Sequence, residues 1–369
     1  MRVIVTGGGT GGHIYPALAI AQGLLEQDEG HKILYIGTRN GMEAKLVPEA
    51  GIEFAGIAGQ GLPRRLSLQT ITTIGKNAKA IWETKQLLKK FNPDLVVGTG
   101  GYVSGPVVFT SALFGIPTML HEQNALPGIT NKSLAHFVRK VMVTFPESVA
   151  HFGNKEKLVL VGLPVRKEIG RVTREAGAAY FGLRPDRLTL LVTGGSRGAK
   201  SINEAMLMVL KRLQECPEVQ LIWATGSATY AETLLAVKES GVKPEQQQQW
   251  RILEYLSMPE ALACADLCIG RAGAASLNEL MVAGKPSLLI PYPYAAGNHQ
   301  EYNARALVQG GAARLILNSE LDGSRLWAEI AEVLFQPACL VEMGQAAGKM
   351  AQPQALNKIV NLCLATGWH

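Results

Sequence analysis

One short pattern occurs twice in this chain and fixes most of what it can fold into. Val5-Thr6-Gly7-Gly8 returns 187 residues later as Val192-Thr193-Gly194-Gly195. Each copy closes a β-rich run, Val3-Ile4-Val5 in the first and Leu188 to Val192 in the second. Each then opens a helical pattern, around Ala17–Ile20 and Ile202–Ala205. A strand, a glycine turn and a helix in that order begin a Rossmann-like unit. The alternation continues, with strands expected over Lys32–Ile36, Asp94–Gly98, Ile116–Leu120 and Lys140–Thr144 in the first half. In the second half they fall over Gln220–Ala224, Arg251–Leu253, Asp266–Gly270 and Lys285–Ile290. Strands alternating with helices predict an α/β protein of two parallel sheets, each covered on both faces.

The 369 residues suffice for two ordinary domains. Val161-Gly162-Leu163-Pro164 reads as the linker, giving domains at 1–163 and 164–338, with an amphipathic stretch left over at 339–369. The five cysteines are odd in number and form no C-x-x-C pair, so reduced thiols in a cytoplasmic protein are expected. Met1 to Gly7 runs straight into a strand and glycine loop, unlike a secretory leader. The uncharged stretch Leu95–Thr118 resembles a membrane span, but five glycines and two prolines divide it. It reads better as strand, loop, helix and strand.

Gly7, Gly9 and Gly12 satisfy G-x-G-x-x-G, a weak signal alone. A nicotinamide enzyme needs an acid after the second strand, and Ile36-Gly37-Thr38 offers none. None of the nine tyrosines has the lysine four residues on that a short-chain dehydrogenase requires. No G-x-x-x-x-G-K-[ST] loop is present, which removes the NTPase reading. What remains is the physics of such loops: glycines admit a close ligand, and amides at a helix N-terminus bind a diphosphate without a metal. The absence of D-x-D agrees, so neither metal nor cofactor is expected.

Five segments in register then resemble a known family. They are Gly7-Gly8-Gly9-Thr10-Gly11-Gly12-His13, Gly100 to Pro106, His121-Glu122-Gln123-Asn124, Gly194-Gly195-Ser196 and Arg271-Ala272-Gly273-Ala274. Together they resemble the MurG family of bacterial N-acetylglucosaminyltransferases, which have the two-domain GT-B fold. The resemblance implies inverting transfer of N-acetylglucosamine from UDP-N-acetylglucosamine to the 4-hydroxyl of lipid I. The product is lipid II for peptidoglycan, made at the cytoplasmic face of the cell membrane by a peripheral enzyme. It also implies that 339–369 returns to pack on the first domain, and that other cell-wall synthesis proteins are partners. A diacylglycerol glycosyltransferase of the same fold is the alternative, and a UDP-N-acetylglucosamine 2-epimerase shares the architecture.

On the same resemblance the second half binds the donor. Ser196 contacts a phosphate, Leu256 lies by the uracil, and Ala274, Ala275, Ser276, Leu277 and Asn278 form a helix start under the diphosphate. Glu279 takes the ribose hydroxyls, Gln300 the sugar, and Arg166 reaches the donor from the linker. From the first half, Thr10, Gly11, Gly12 and Asn124 reach sugar or acceptor, with Gly9, Tyr102 and Ser104 on the acceptor. Gly162-Leu163-Pro164-Val165-Arg166 departs from the family's Gly-Asn-Pro-Val-Arg but keeps the arginine. A base near 3 Å from the attacking hydroxyl is needed. Histidine titrates near neutrality unaided, which makes His13 the expected base and Glu122 the second candidate. Structural alternatives stay open: a capping role for His13, an ion pair with arginine for Glu122, a solvated Glu279, a packed Tyr102 and an acid partner for Arg271.

Charge is lopsided: 16 basic against 11 acidic residues in 1–163, but 20 against 19 in 164–369. Arg64 to Lys90 holds seven basic residues and one acid, Glu83. Leu68, Ile71, Ile74, Ala78, Ile81 and Trp82 recur at helical spacing among them. Such a segment suits an anionic membrane surface. Nucleic acid is not expected, because Trp82 is the lone aromatic interleaved with those charges.

Overall fold

The computed structural model describes residues 1–61, 68–195, 197–242 and 248–367, with backbone alone at 68–72 and 74. Arg64, Arg65, Ser196, and the side chains of Leu68, Ile71 and Ile74 therefore lie outside the described residues. The chain divides into two compact units, 1–164 with 353–369, and 165–352.

The first unit runs β1 (Arg2–Thr6), α1 (Gly11–Gln27), β2 (Lys32–Thr38), α2 (Glu43–Glu49), β3 (Glu53–Ile57) and α3 (Leu68–Phe91). It continues with β4 (Leu95–Gly98), α4 (Ser104–Leu113), β5 (Thr118–Glu122), α5 (Ile129–Leu134), β6 (Lys140–Val143) and β7 (Leu158–Leu160). Its seven strands lie in the order β3-β2-β1-β4-β5-β6-β7, and every pairing is parallel. The uncharged stretch from Leu95 is thus strand, loop, helix and strand. No helix among the described residues is long and apolar enough to cross a membrane.

The second unit has α6 (Arg174–Phe181), β8 (Leu188–Thr193), α7 (Lys200–Leu213), β9 (Val219–Ala224), α8 (Tyr230–Glu239), β10 (Trp250–Leu253) and α9 (Met258–Cys264). Then come β11 (Leu267–Gly270), α10 (Ala274–Val282), β12 (Ser287–Leu289), α11 (His299–Gln309), β13 (Ala313–Leu315), α12 (Gly323–Leu334) and α13 (Pro337–Met350). Its six strands repeat the plan as β10-β9-β8-β11-β12-β13. In both sheets the order reverses beside the first strand, and such switch points are where open parallel sheets take ligands.

Burial explains the apolar strands. Val3 and Val5 face α1, while Ile4 between them faces α3 and α4, and all three are fully buried. The C-terminal stretch corrects an expectation. It is not one element returning to the first unit, because α13 buries Met343 and Ala347 in the second unit. Ala351 to Gln354 breaks the helix, and only α14 (Ala355–Gly367) lies on the first unit. There Leu356 and Val360 pack where Gly23 of α1 leaves room; a Cβ at Gly23 would sit 2.8 Å from Leu356.

Helix α3 has one buried side and one exposed side. Thr73, Ala80, Thr84 and Leu88 form its buried side. Ala78, Ile81 and Trp82, expected together on one helical face, lie on the exposed side.

Candidate functional site

At the first switch point two glycine loops meet backbone to backbone. Gly8 N–H donates to the Gly100 carbonyl, and a Cβ on Gly101 would lie 2.2 Å from the Gly8 oxygen. Gly101 also has φ +81, so both space and conformation demand glycine. Beneath the loop, the buried Tyr35 hydroxyl donates to the Gly7 carbonyl at 2.7 Å. The carbonyl of Thr10, which precedes α1, accepts from the His13 and Ile14 amides. The Thr10 hydroxyl lies 3.2 Å from His13 Nδ1. His13 is half-buried, its ring against Gly100: a Cβ there would come within 2.9 Å of it. Gly9, Thr10 and Gly12 are exposed and Gly11 partly so.

The end of β5 supplies a second cluster. Glu122 is buried, and its carboxylate accepts four hydrogen bonds. Oε1 takes the Asn124 amide and Nδ2 at 3.0 and 3.2 Å, and Oε2 takes the Gly128 amide and Asn131 Nδ2 at 3.1 and 2.8 Å. Burial raises its pKa, and those bonds pull it back. The partners are amide groups, so the arginine pairing left open above is not what holds it. Asn131, absent from the sequence reading, completes this clamp nine residues downstream of Glu122, at a spacing that carries no local signal. His121 is fully buried; its Nε2 bonds the Gly162 carbonyl at 2.9 Å and Gln123 approaches Nδ1 at 3.0 Å. Burial lowers its pKa to about 4.

Two acceptor residues separate. Tyr102 is 37% exposed with its ring against Gly9, so it remains reachable. Ser104 does not: it is fully buried and its hydroxyl bonds the Gly100 carbonyl at 2.7 Å. Its place among the acceptor contacts is corrected to one that braces the loop from behind.

In the second unit, α10 starts at the second switch point. Its first intrahelical bond, from the Leu277 amide to the Gly273 carbonyl at 3.0 Å, leaves the amides of Ala274, Ala275 and Ser276 without helical acceptors. No side chain caps this end. Leu277 and Asn278 belong to this helix start as expected; both are buried, and Asn278 Nδ2 bonds the Ala274 carbonyl. Their side chains pack behind the helix start. Glu279 is buried, not solvated, and its Oε1 meets Arg166 Nε at 2.8 Å. Gln300 Oε1 accepts from the Ala272 and Tyr292 amides at 3.2 and 2.9 Å, tying together two loops beside α10. Leu256 is half-buried in the loop between β10 and α9. Among the described residues Arg271 pairs with no acid; its guanidinium bonds the Ile290 and Pro291 carbonyls, Asn318 Oδ1 and Ser201 Oγ. Thr193, Gly195, Arg271 and Ser276 line a mostly apolar pocket between the β8 loop and α10.

A model of the glycosyltransferase family 28 N-terminal domain matches residues 3–143, and one of the family 28 C-terminal domain matches 189–359. The chain belongs to glycosyltransferase family 28. Among its family 28 relatives, a protein of Desulfitobacterium hafniense (strain Y51) is 68% identical over 369 residues, the whole of both chains. One of Moorella thermoacetica is 49% identical over 367 residues, 99% of each chain. Both are named UDP-N-acetylglucosamine–N-acetylmuramyl-(pentapeptide) pyrophosphoryl-undecaprenol N-acetylglucosamine transferase. The crystal structure of Acinetobacter baumannii MurG matches with a TM-score of 0.78 and 28% identity, covering 99% of both chains. The two sheets of this family 28 chain are thus the two halves of a GT-B fold. A UDP-N-acetylglucosamine 2-epimerase from Neisseria meningitidis shares that fold at a TM-score of 0.68 and 14% identity, with 99% of this chain and 100% of that one covered.

Proposed function

We propose that this chain transfers N-acetylglucosamine, with inversion, from UDP-N-acetylglucosamine to the 4-hydroxyl of the muramoyl sugar of lipid I, forming lipid II for peptidoglycan. The observation that carries the choice of substrates is the 68% identity, over the whole length, with a transferase named for them.

The second unit takes the donor. Three amides at the start of α10 face the diphosphate, which bears negative charge before transfer and gains more as UDP leaves. The free oxygen of Glu279 accepts from a ribose hydroxyl while Arg166 holds the other. Leu256 and Gln300 border the same site, by the uracil and the sugar. The first unit takes the acceptor, with Thr10, Gly11, Gly12, Asn124 and Tyr102 around it.

His13 is the base. Thr10 sets its tautomer: with Nδ1–H donating to the Thr10 hydroxyl, Nε2 is the ring nitrogen that carries the lone pair. Nε2 removes the proton of the 4-hydroxyl, the oxygen bonds to the anomeric carbon from the face opposite UDP, and the bond to the diphosphate oxygen breaks. Glu122 is a positioning residue in this reading, because four donors already occupy its oxygens and its work is to shape the Asn124–Gly128 loop.

The enzyme works at the cytoplasmic face of the membrane, held there by the first unit. Ile81, Trp82, Leu113 and Phe114 are exposed, and Lys85 lies over the Phe114 ring at 5.7 Å. Lys76, Lys79, Lys89 and Lys90 surround them on α3. Apolar side chains dipping into the interface, ringed by lysines on anionic headgroups, make a peripheral contact.

The deciding experiment is a coupled UDP-release assay with UDP-N-acetylglucosamine and a lipid I analogue, run with and without excess EDTA. Release that depends on the lipid and survives EDTA is expected. Turnover of the nucleotide sugar alone, or equal turnover with diacylglycerol, would overturn the assignment.

A further inference from the structure

Tyr15 stands two residues beyond His13 on α1, and no role described so far uses it. Its side chain is 59% exposed at the edge where the first sheet's loops converge. Single exposed aromatics are ordinary on protein surfaces. This one is placed differently. Its ring leans back over Gly11, where a Cβ would lie 3.0 and 3.3 Å from two ring carbons. Gly11 has no left-handed conformation to require a glycine, and alanine is the better helix former there. The missing side chain instead gives the ring room to lie along the loop.

The arrangement has a counterpart. Tyr102 lies against Gly9 in the same way, its nearest ring carbon 3.0 Å from where a Cβ would stand. Two partly exposed tyrosine rings therefore bracket the Gly9–Gly11 loop, with Thr10 between them and His13 two residues beyond it. A pyranose has faces of C–H bonds and a rim of hydroxyls. Tyrosine offers the complement: an apolar ring with a negative face for the C–H bonds, and a phenol for the rim. We propose that Tyr15 forms, with Tyr102, the aromatic walls of the sugar subsite for the lipid-linked acceptor. This rests on the assignment of the first unit to the acceptor.

The test is steady-state kinetics with each substrate varied, on Tyr15→Ala, Tyr15→Leu, Tyr15→Phe and Tyr102→Ala. Thermal melting serves as the check on folding. Tyr15→Ala should raise the acceptor KM about tenfold while donor KM and Tm stay near the parent values. Tyr15→Phe should stay within about twofold of the parent and Tyr15→Leu should behave like alanine, because a platform needs a ring and not only bulk. An unchanged acceptor KM in Tyr15→Ala beside a raised one in Tyr102→Ala overturns the role of Tyr15 alone. No change in either variant overturns the acceptor assignment of the loop as well. A rise confined to the donor KM, or a leucine as effective as phenylalanine, also overturns the proposal.

Discussion

Arg166 Nε meets Glu279 Oε1 at 2.8 Å, joining the first residues of the second unit to the second turn of α10 across 113 positions of sequence. The arginine side chain is half exposed and the carboxylate is 9% exposed. The pair therefore fixes one carboxylate oxygen in place, and the proposed ribose contact falls to the other.

Glu279→Ala should raise the donor KM about ten- to a hundredfold, the loss expected when a hydrogen bond to a charged group disappears. Acceptor KM should hardly move. Donor titration and a melting curve on the purified variant check this. A folded variant with parental donor affinity would remove Glu279 from the ribose.

His13→Ala should lower kcat by roughly 10²–10⁴ with donor binding retained, as for loss of a general base. Glu122→Gln should act otherwise, raising acceptor KM and lowering Tm, because an amide cannot accept all four bonds now made to the carboxylate. If Glu122→Gln keeps its Tm yet loses as much kcat as His13→Ala, the two roles exchange.

Much of this was legible in the sequence, for a physical reason. The duplicated Val-Thr-Gly-Gly reports two strand ends whose loops need glycine, and apolar runs between helices report sheets buried on both faces. β7 and β13, each of three residues, were not legible, and Gly56 and Glu53 disguise β3. In the site, Ser104 looked like a loop hydroxyl because sequence does not report burial. The clamp on Glu122 was not legible because it depends on Gly128 and Asn131, which only the turn after β5 brings back.

His121 predicts a pH dependence of stability. Burial holds its folded pKa near 4, against about 6.5 when unfolded. As pH falls below about 6.5 the unfolded chain takes up a proton that the folded chain refuses. Stability should therefore fall between about 6.5 and 4, by up to about 3 kcal/mol, and level off below. Glu122, with its raised pKa, acts in the opposite sense. Urea unfolding of the parent and His121→Gln across this window isolates the histidine, since Glu122 is common to both. Parallel stability curves would refute it.

Charge reversal at Lys76, Lys79 and Lys85 should weaken binding to anionic vesicles, each lysine contributing about 1 kcal/mol at low salt. Added salt should weaken the parent's binding likewise. Turnover of a short-chain, water-soluble acceptor should stay near the parent rate. Sedimentation with vesicles measures the first effect, and undiminished binding by the triple variant would place the membrane contact elsewhere.

The return of α14 to the first unit has a consequence for how the protein is made. Ile359, Val360 and Cys363 are buried in the core that Val3, Val5 and α1 begin. Domains commonly fold in order as they leave the ribosome, the N-terminal one first. Here that order is interrupted. The half synthesised first must wait, with one flank of α1 uncovered, until the second half has been translated and residues 355–367 have emerged to close it.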